Sequence, residues 1–218
     1  MGDITEVTGM VISSMPVGEY DRRIVIITKE RGKISAFAKG ARRPGSSLMG
    51  VTRPFLFGKF QMYEGRTSYN LRQAAISNYF EKVITDLDAV YYAYYFAEIA
   101  EYYARENLDA GILINLLYAS LRALENDNIP DRLVRCIYEL KAIEINGECP
   151  QVEELITYTS KPPVESTVYT LEYIVSSPLE KLYTFTVSDE VLHELIMIVN
   201  ILCNRTFDKN MKSAKMLP

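Results

Sequence analysis

This 218-residue chain is poor in the residues that most enzymes and metal sites need. Histidine occurs once, as His193, with no serine or cysteine nucleophile pattern around it, so triad chemistry has no footing. The three cysteines, Cys136, Cys149 and Cys203, stand too far apart to form a CxxC pair. That spacing excludes the usual zinc sites and makes a disulfide framework unexpected, leaving buried or free thiols. The GxxxxGK[ST] loop of nucleotide-binding enzymes is absent. No run approaches the roughly 18 apolar residues of a membrane span. Asp3 and Glu6 occupy a start that has no basic segment ahead of an apolar one. The expectation is a cytoplasmic protein, neither secreted nor membrane-inserted. A hydrolase or transferase stays open as an alternative, but it requires a titratable cluster that the residues do not display.

Charge is present in quantity and is unevenly placed. Residues 1–80 carry twelve Lys and Arg against six Asp and Glu, a net +6, whereas residues 81–218 carry a net −10. A basic first third on an acidic remainder points to a nucleic-acid partner, which the overall charge of −4 conceals.

The basic third reads as short strands separated by turn signals. Candidates are Glu6–Ser14, Arg23–Thr28, Lys33–Lys39, Phe55–Tyr63 and Ser68–Ala74, with turns near Pro16-Val17-Gly18, Gly32 and Glu64-Gly65-Arg66. Five strands in this length predict a small closed barrel of the OB type, with Phe37 and Phe55–Phe60 in its core. After Phe80 the period changes to that of helices: Leu87–Tyr103, about Asp109–Asn126 with Asp109 as cap, Pro130 to about Gly147, and Asp189–Cys203 capped by Ser188. Tyr91, Tyr92, Tyr94, Tyr95, Tyr102 and Tyr103 fall on a helical stripe and read as core rather than as a stacking platform. Residues 150–187 lose the helical period around Pro162-Pro163 and Pro178, which predicts an irregular insert with short strands at Thr167–Ile174 and Leu182–Thr186. The fold class is therefore α+β: a five-stranded OB-fold barrel over 1–80, then a mainly helical domain over 81–218 with a β-containing insert.

Between two strands lies Lys39-Gly40-Ala41-Arg42-Arg43-Pro44-Gly45, three cations crowded around a glycine. Such a loop either faces solvent or grips an anion, with Gly40 letting the backbone take positive φ or approach a ligand. Tyr20, beside Arg22 and Arg23, is a candidate to stack on a nucleotide or to shield the barrel end.

These residues also carry a family likeness. Gly18-Glu19-Tyr20-Asp21-Arg22-Arg23, Ala36-Phe37-Ala38-Lys39-Gly40-Ala41-Arg42-Arg43 and Tyr63-Glu64-Gly65-Arg66, followed by Ala93-Tyr94-Tyr95-Phe96-Ala97-Glu98 and Asn146-Gly147, resemble the RecO family of bacterial recombination mediators from end to end. The resemblance implies an N-terminal OB-fold that binds single- and double-stranded DNA. It also implies annealing of complementary strands, docking of the C-terminal tail of single-stranded-DNA-binding protein, and joint action with RecR to load the RecA recombinase, without covalent chemistry. A nucleoid-associated protein of the bacterial cytoplasm would result. DNA contacts are then expected from Arg22, Arg23, Lys39, Arg42, Arg43, Arg53, Arg66 and Tyr20. The ending, with Phe207, Lys209, Met211, Lys212 and Lys215, is the expected seat for an acidic, apolar-ended partner tail. Many relatives hold zinc with four cysteines in the 150–187 region. This chain has none of those four, so no metal or other cofactor is expected, and Tyr158, Tyr169, Tyr173 and Tyr183 with nearby aliphatics would fill the space. A degenerate member that serves RecR as an adaptor without binding DNA is the alternative.

Overall fold

Alternating apolar residues in the basic third build the strands β1 (Ile4–Val17), β2 (Asp21–Thr28), β3 (Gly32–Ala38), β4 (Phe57–Glu64) and β5 (Tyr69–Asn78). The structure, a computed structural model, describes residues 4–65 and 68–218. The strands close into a barrel in the order β1-β2-β3-β5-β4. All neighbours are antiparallel except β3 and β5, which close the ring through the parallel pairs Ala36–Tyr69 and Phe37–Asn70. A bulge at Ile12 shifts the β1–β2 register between Val11 and Ser13 and lets the long β1 bend to serve both β2 and β4. Val7, Val11, Ile24, Ile26, Ile34, Ala36, Phe60, Met62 and Leu71 fill the interior. Phe37 is not among them. With Ile34, Ala36 and Ala38 turned inward, the pleat sends Phe37 to the outer face, where it is half-buried; of the 55–60 segment Leu56 and Phe60 enter the barrel core as expected, Phe55 is buried outside that cluster and Phe57 is half-buried.

Among the described residues the α-helices that follow are α1 (Glu81–Thr85), α2 (Leu87–Tyr103), α3 (Gly111–Leu124), α4 (Asp131–Ile145), α5 (Val152–Leu155), α6 (Glu165–Ser176) and α7 (Asp189–Thr206). Ser188 Oγ accepts the Val191 N–H at 3.4 Å and caps α7 as expected, whereas Asp109 stands one residue ahead of the cap of α3: Ala110 O accepts the first helical bond, from Ile114, and Asp109 Oδ1 accepts the Gly111 N–H at 2.9 Å. Tyr92 and Tyr95 on α2 are buried, but Tyr94 and Leu87 are exposed. The helix is covered on several sides from Tyr92 to Ala100, and a single-stripe reading assigns its one open position wrongly.

The expected strands of the insert are absent. Thr167–Ile174 lies inside α6, and Leu182–Thr186 forms a turn and irregular chain. The side chains buried from α6 are Thr167, Thr170, Leu171 and Ile174, at i, i+3, i+4 and i+7. That helical spacing overrides the β-preference of Thr, Tyr and Val.

The chain divides into two compact units, Met1–Glu81 with Ala100–Ile114, and Lys82–Ile99 with Asn115–Pro218. In the first, residues after α2 are laced to the β2–β3 turn: Asn107 N–H donates to Arg31 O at 3.0 Å, Ala110 N–H to Lys29 O at 3.1 Å, and Lys33 N–H to Arg105 O at 3.2 Å. Gly32 makes this approach possible. Its φ is +59°, and a Cβ there would lie 1.9 Å from Arg105 O. In the second unit α4 packs against α6 and α7. Among the described residues no helix is long and apolar enough to cross a membrane.

Candidate nucleic-acid interface

The connection from β3 to β4, residues 39–56, is a succession of turns tied into the barrel. Ala41, Leu48 and Leu56 join the core, and the buried Thr52 hydroxyl donates to Leu48 O at 3.0 Å. Between these anchors Lys39, Arg42 and Arg43 are exposed. Gly40, at φ +69°, turns the chain, and its N–H donates to Asp21 Oδ1 at 2.7 Å. Arg42 binds the β1–β2 turn twice, from its N–H to Tyr20 O at 2.8 Å and from its guanidinium to Gly18 O at 3.3 Å. Arg43 lies over the Tyr20 ring, 5.0 Å from the centroid, a cation–π contact worth about 0.5–1 kcal/mol at an exposed site. A hydrogen bond with Glu19 raises the Tyr20 hydroxyl above its ordinary pKa. Loop and hairpin turn thus form one preorganised basic end of the barrel.

Arg22 and Arg23 rise from the adjoining start of β2. Arg22 donates to Ser14 Oγ at 3.1 Å, and Arg23 Nε to Ser35 Oγ at 2.8 Å. Arg53 is exposed later in the same connection. Arg66 lies outside the described residues. Among the described residues, none of Arg22, Arg23, Lys39, Arg42, Arg43 and Arg53 makes an ion pair; Arg22 and Arg23 bind hydroxyls, Arg42 a carbonyl and Arg43 an aromatic ring. Of the other barrel cations, Arg31 pairs with Glu64 at 3.2 Å, Lys59 with Glu6 at 3.3 Å and Lys33 with Glu101 at 3.8 Å, whereas Lys29 and Arg72 have no ion pair among the described residues. Cations without internal partners remain available to phosphates. The sequence could place Lys39, Arg42 and Arg43 in one loop but carried no sign that the nearby Asp21 carboxylate would bind the Gly40 N–H instead of a cation. It also missed Phe37, whose only signal was its phase relative to Ala36 and Ala38.

The C-terminal residues are docked. Lys212 N–H, Ser213 N–H and the Ser213 hydroxyl all donate to the Glu98 carboxylate, the first two at 3.0 and 2.8 Å. Burial alone would raise the Glu98 pKa, but these hydrogen bonds outweigh it and hold the carboxyl below its ordinary value. Met211 is buried, so it offers no surface to a partner, contrary to expectation; Phe207 is half-buried, and Lys209, Lys212 and Lys215 are exposed.

The 150–187 region does not fit zinc. At the positions where cysteines would be expected stand Leu155-Ile156-Thr157-Tyr158-Thr159 and Ser177-Pro178-Leu179-Glu180, and among the described residues no cluster of His, Cys, Asp or Glu is placed to hold a metal. Aliphatic Leu155, Leu171, Ile174 and Leu182 are buried there. The tyrosines expected to replace the metal sit around them instead: Tyr169 is 66% exposed, Tyr158 and Tyr173 are half-buried, and Tyr183 shares a 2.6 Å hydrogen bond with Ser120.

Comparison with known proteins agrees with this geometry. Residues 1–80 match the family model described as Recombination protein O N terminal, and residues 84–155 match Recombination protein O C terminal. The DNA repair protein RecO of Acetivibrio thermocellus is 29% identical over 93% of this chain and 92% of its own length. That of Clostridium perfringens is 25% identical over 98% of this chain and 97% of its own. The protein of the same description from Alkaliphilus metalliredigens is 32% identical over 68% of this chain and 61% of its own. A closed five-stranded barrel with a basic end, a helical region after it, and both matching family models place the chain in the RecO family of DNA repair proteins.

Proposed function

We propose that the chain is a recombination mediator that holds DNA on the basic end of its barrel domain, residues 1–80, and anneals complementary strands there. Arg22, Arg23, Lys39, Arg42, Arg43, Arg53 and Arg66, with Tyr20, contact single- and double-stranded DNA. The observation that carries the reading is that, among the described residues, Arg22, Arg23, Lys39, Arg42, Arg43 and Arg53 make no ion pair with a carboxylate, and that the Lys39–Arg43 loop is fixed by Ala41, Leu48 and Gly40. Fixed cations bind phosphate without first losing a competing ion pair, and they read no base edges. A sequence-blind grip allows two strands to shift register until they match, which is what annealing requires, and it involves no covalent step. The relatives are named DNA repair proteins, which fits this role.

Acting with RecR, such a protein helps load the RecA recombinase onto single strands coated by single-stranded-DNA-binding protein. The exposed Lys209, Lys212 and Lys215 beside Phe207 would receive that protein's acidic tail.

The test is anisotropy of a labelled oligonucleotide across a salt series. If about five phosphates of a single strand are engaged, log K falls against log salt with a slope of roughly −3.5. Replacing Lys39, Arg42 and Arg43 together by alanine should flatten that slope by about 2 and abolish annealing of complementary strands. An unchanged slope would remove the loop from the DNA site.

A further inference from the structure

Beside the basic loop the barrel presents an unusual outward row. Met15 on β1 opposes Arg23 on β2, which opposes Phe37 on β3. Their neighbours Ile24, Ala36 and Ala38 face the core, so all three point outward. Met15 is 52% exposed, Phe37 is half-buried, and neither belongs to the barrel core. Directly opposed residues on adjacent strands stand roughly 5 Å apart, so the three side chains form one continuous ledge. Arg23 lies in its middle. Its Nε–H is fixed to Ser35 Oγ at 2.8 Å, in the next row of the same face, and among the described residues no carboxylate pairs with it. This hydrogen bond anchors the exposed Arg23 guanidinium to the outer face of β3. Lys39, two residues beyond Phe37, is exposed and begins the basic loop.

We propose that Met15, Arg23 and Phe37 form a base-stacking shelf, which receives unpaired bases of a single strand whose phosphates lie on the Lys39–Arg43 loop. The inference rests on the DNA-binding reading above and adds a second kind of contact to it. Aromatic rings, guanidinium planes and thioethers all pack against the flat face of a base, and any base supplies such a face. A duplex keeps those faces stacked on one another, so the shelf serves single strands only, whereas the loop serves both forms. Arg23 then acts through its plane as well as its charge. The unpaired cations at this end of the barrel favour a nucleic acid over an apolar peptide as the occupant.

The test compares labelled oligo-dT with a hairpin duplex for the full chain and for Phe37→Leu, Phe37→Tyr and Arg23→Lys. Phe37→Leu should weaken oligo-dT binding about tenfold, leave duplex binding within about twofold and keep the salt slope; Phe37→Tyr, which retains a ring, should bind like the parent. Arg23→Lys, which retains the charge, should also weaken oligo-dT selectively. Equal losses for both DNA forms, or no loss in either variant, would overturn the shelf while the loop still binds. A parent chain that binds neither DNA would remove the DNA-binding reading itself. Thermal melting of each variant separates misfolding from lost contacts, and Phe37→Tyr remains informative if Phe37→Leu does not fold.

Discussion

Arg42 and Arg135 are both held in place, yet their charges are used in opposite ways. In the helical unit Arg135 Nε donates to Glu139 Oε1 at 3.0 Å, Glu139 is fully buried and also accepts from Tyr95, and the guanidinium reaches Asn200. Burial pushes the Glu139 pKa up, and Arg135 opposes it. At the barrel end Arg42 binds carbonyl groups and Arg22 and Arg23 bind hydroxyls, with no ion pair to any of the three among the described residues. The first charge is consumed inside the fold, where it offsets a buried carboxylate. The others are positioned but left uncompensated, which is the arrangement a binder of polyanions needs.

The contrast can be broken from either side. Arg135→Met should produce the largest effect, a loss of about 3–5 kcal/mol in urea unfolding, because Glu139 would be left buried without its cation. The deficit should shrink toward acid pH, where Glu139 takes up a proton; a near-neutral variant would mean that the pair contributes little. Ser14→Glu attacks the other side by giving Arg22 an internal carboxylate where Ser14 Oγ now accepts from it. Stability should change by less than about 1 kcal/mol, since exposed pairs contribute little, while oligonucleotide affinity falls about tenfold at low salt. Unchanged affinity would show that Arg22 is not among the reserved charges.

The smallest expected effect concerns Glu98, a carboxylate satisfied by neutral donors. Its folded-state pKa lies below the ordinary 4.5, so its stabilisation is present above that range and is lost as pH falls through the folded value. Glu98→Gln should cost about 1 kcal/mol, allowing for its partial exposure, and should raise hydrogen exchange in residues 211–216 at neutral pH. The parent should show the same rise only in acid. Equal exchange in both proteins at neutral pH would mean that the carboxylate does not hold the segment.

Much of the barrel was legible because its strands are apolar or alternating runs separated by Gly-containing turns, with the alternation of burial clean in β3 and broken in β1 and β2. The basic loop was legible too, since its composition is local. What escaped depended on phase or distance. Phe37 shares the alternation of its strand and was assigned to the core, and only the inward placement of Ala36 and Ala38 reverses it. Helix α6 was concealed by Thr, Tyr and Val, residues that favour strands, although its buried positions keep a helical period. The docking of Ser213 on Glu98 joins residues 115 apart and leaves no trace in either neighbourhood. The free cations were also unreadable, because an ion pair is a property of the partners a fold brings near.

The lacing of Arg105 to Ala110 onto the β2–β3 turn gives the barrel a timetable. Its last strand is complete at Asn78, but the seam at Gly32 waits for chain that follows α2. At about 5–20 residues per second, the roughly thirty residues between them take a few seconds to be synthesised. During that interval the nascent barrel carries an unsealed hairpin tip. A chain ending just after the fifth strand would hold a domain whose five strands are all made but whose closing stitch is still unwritten.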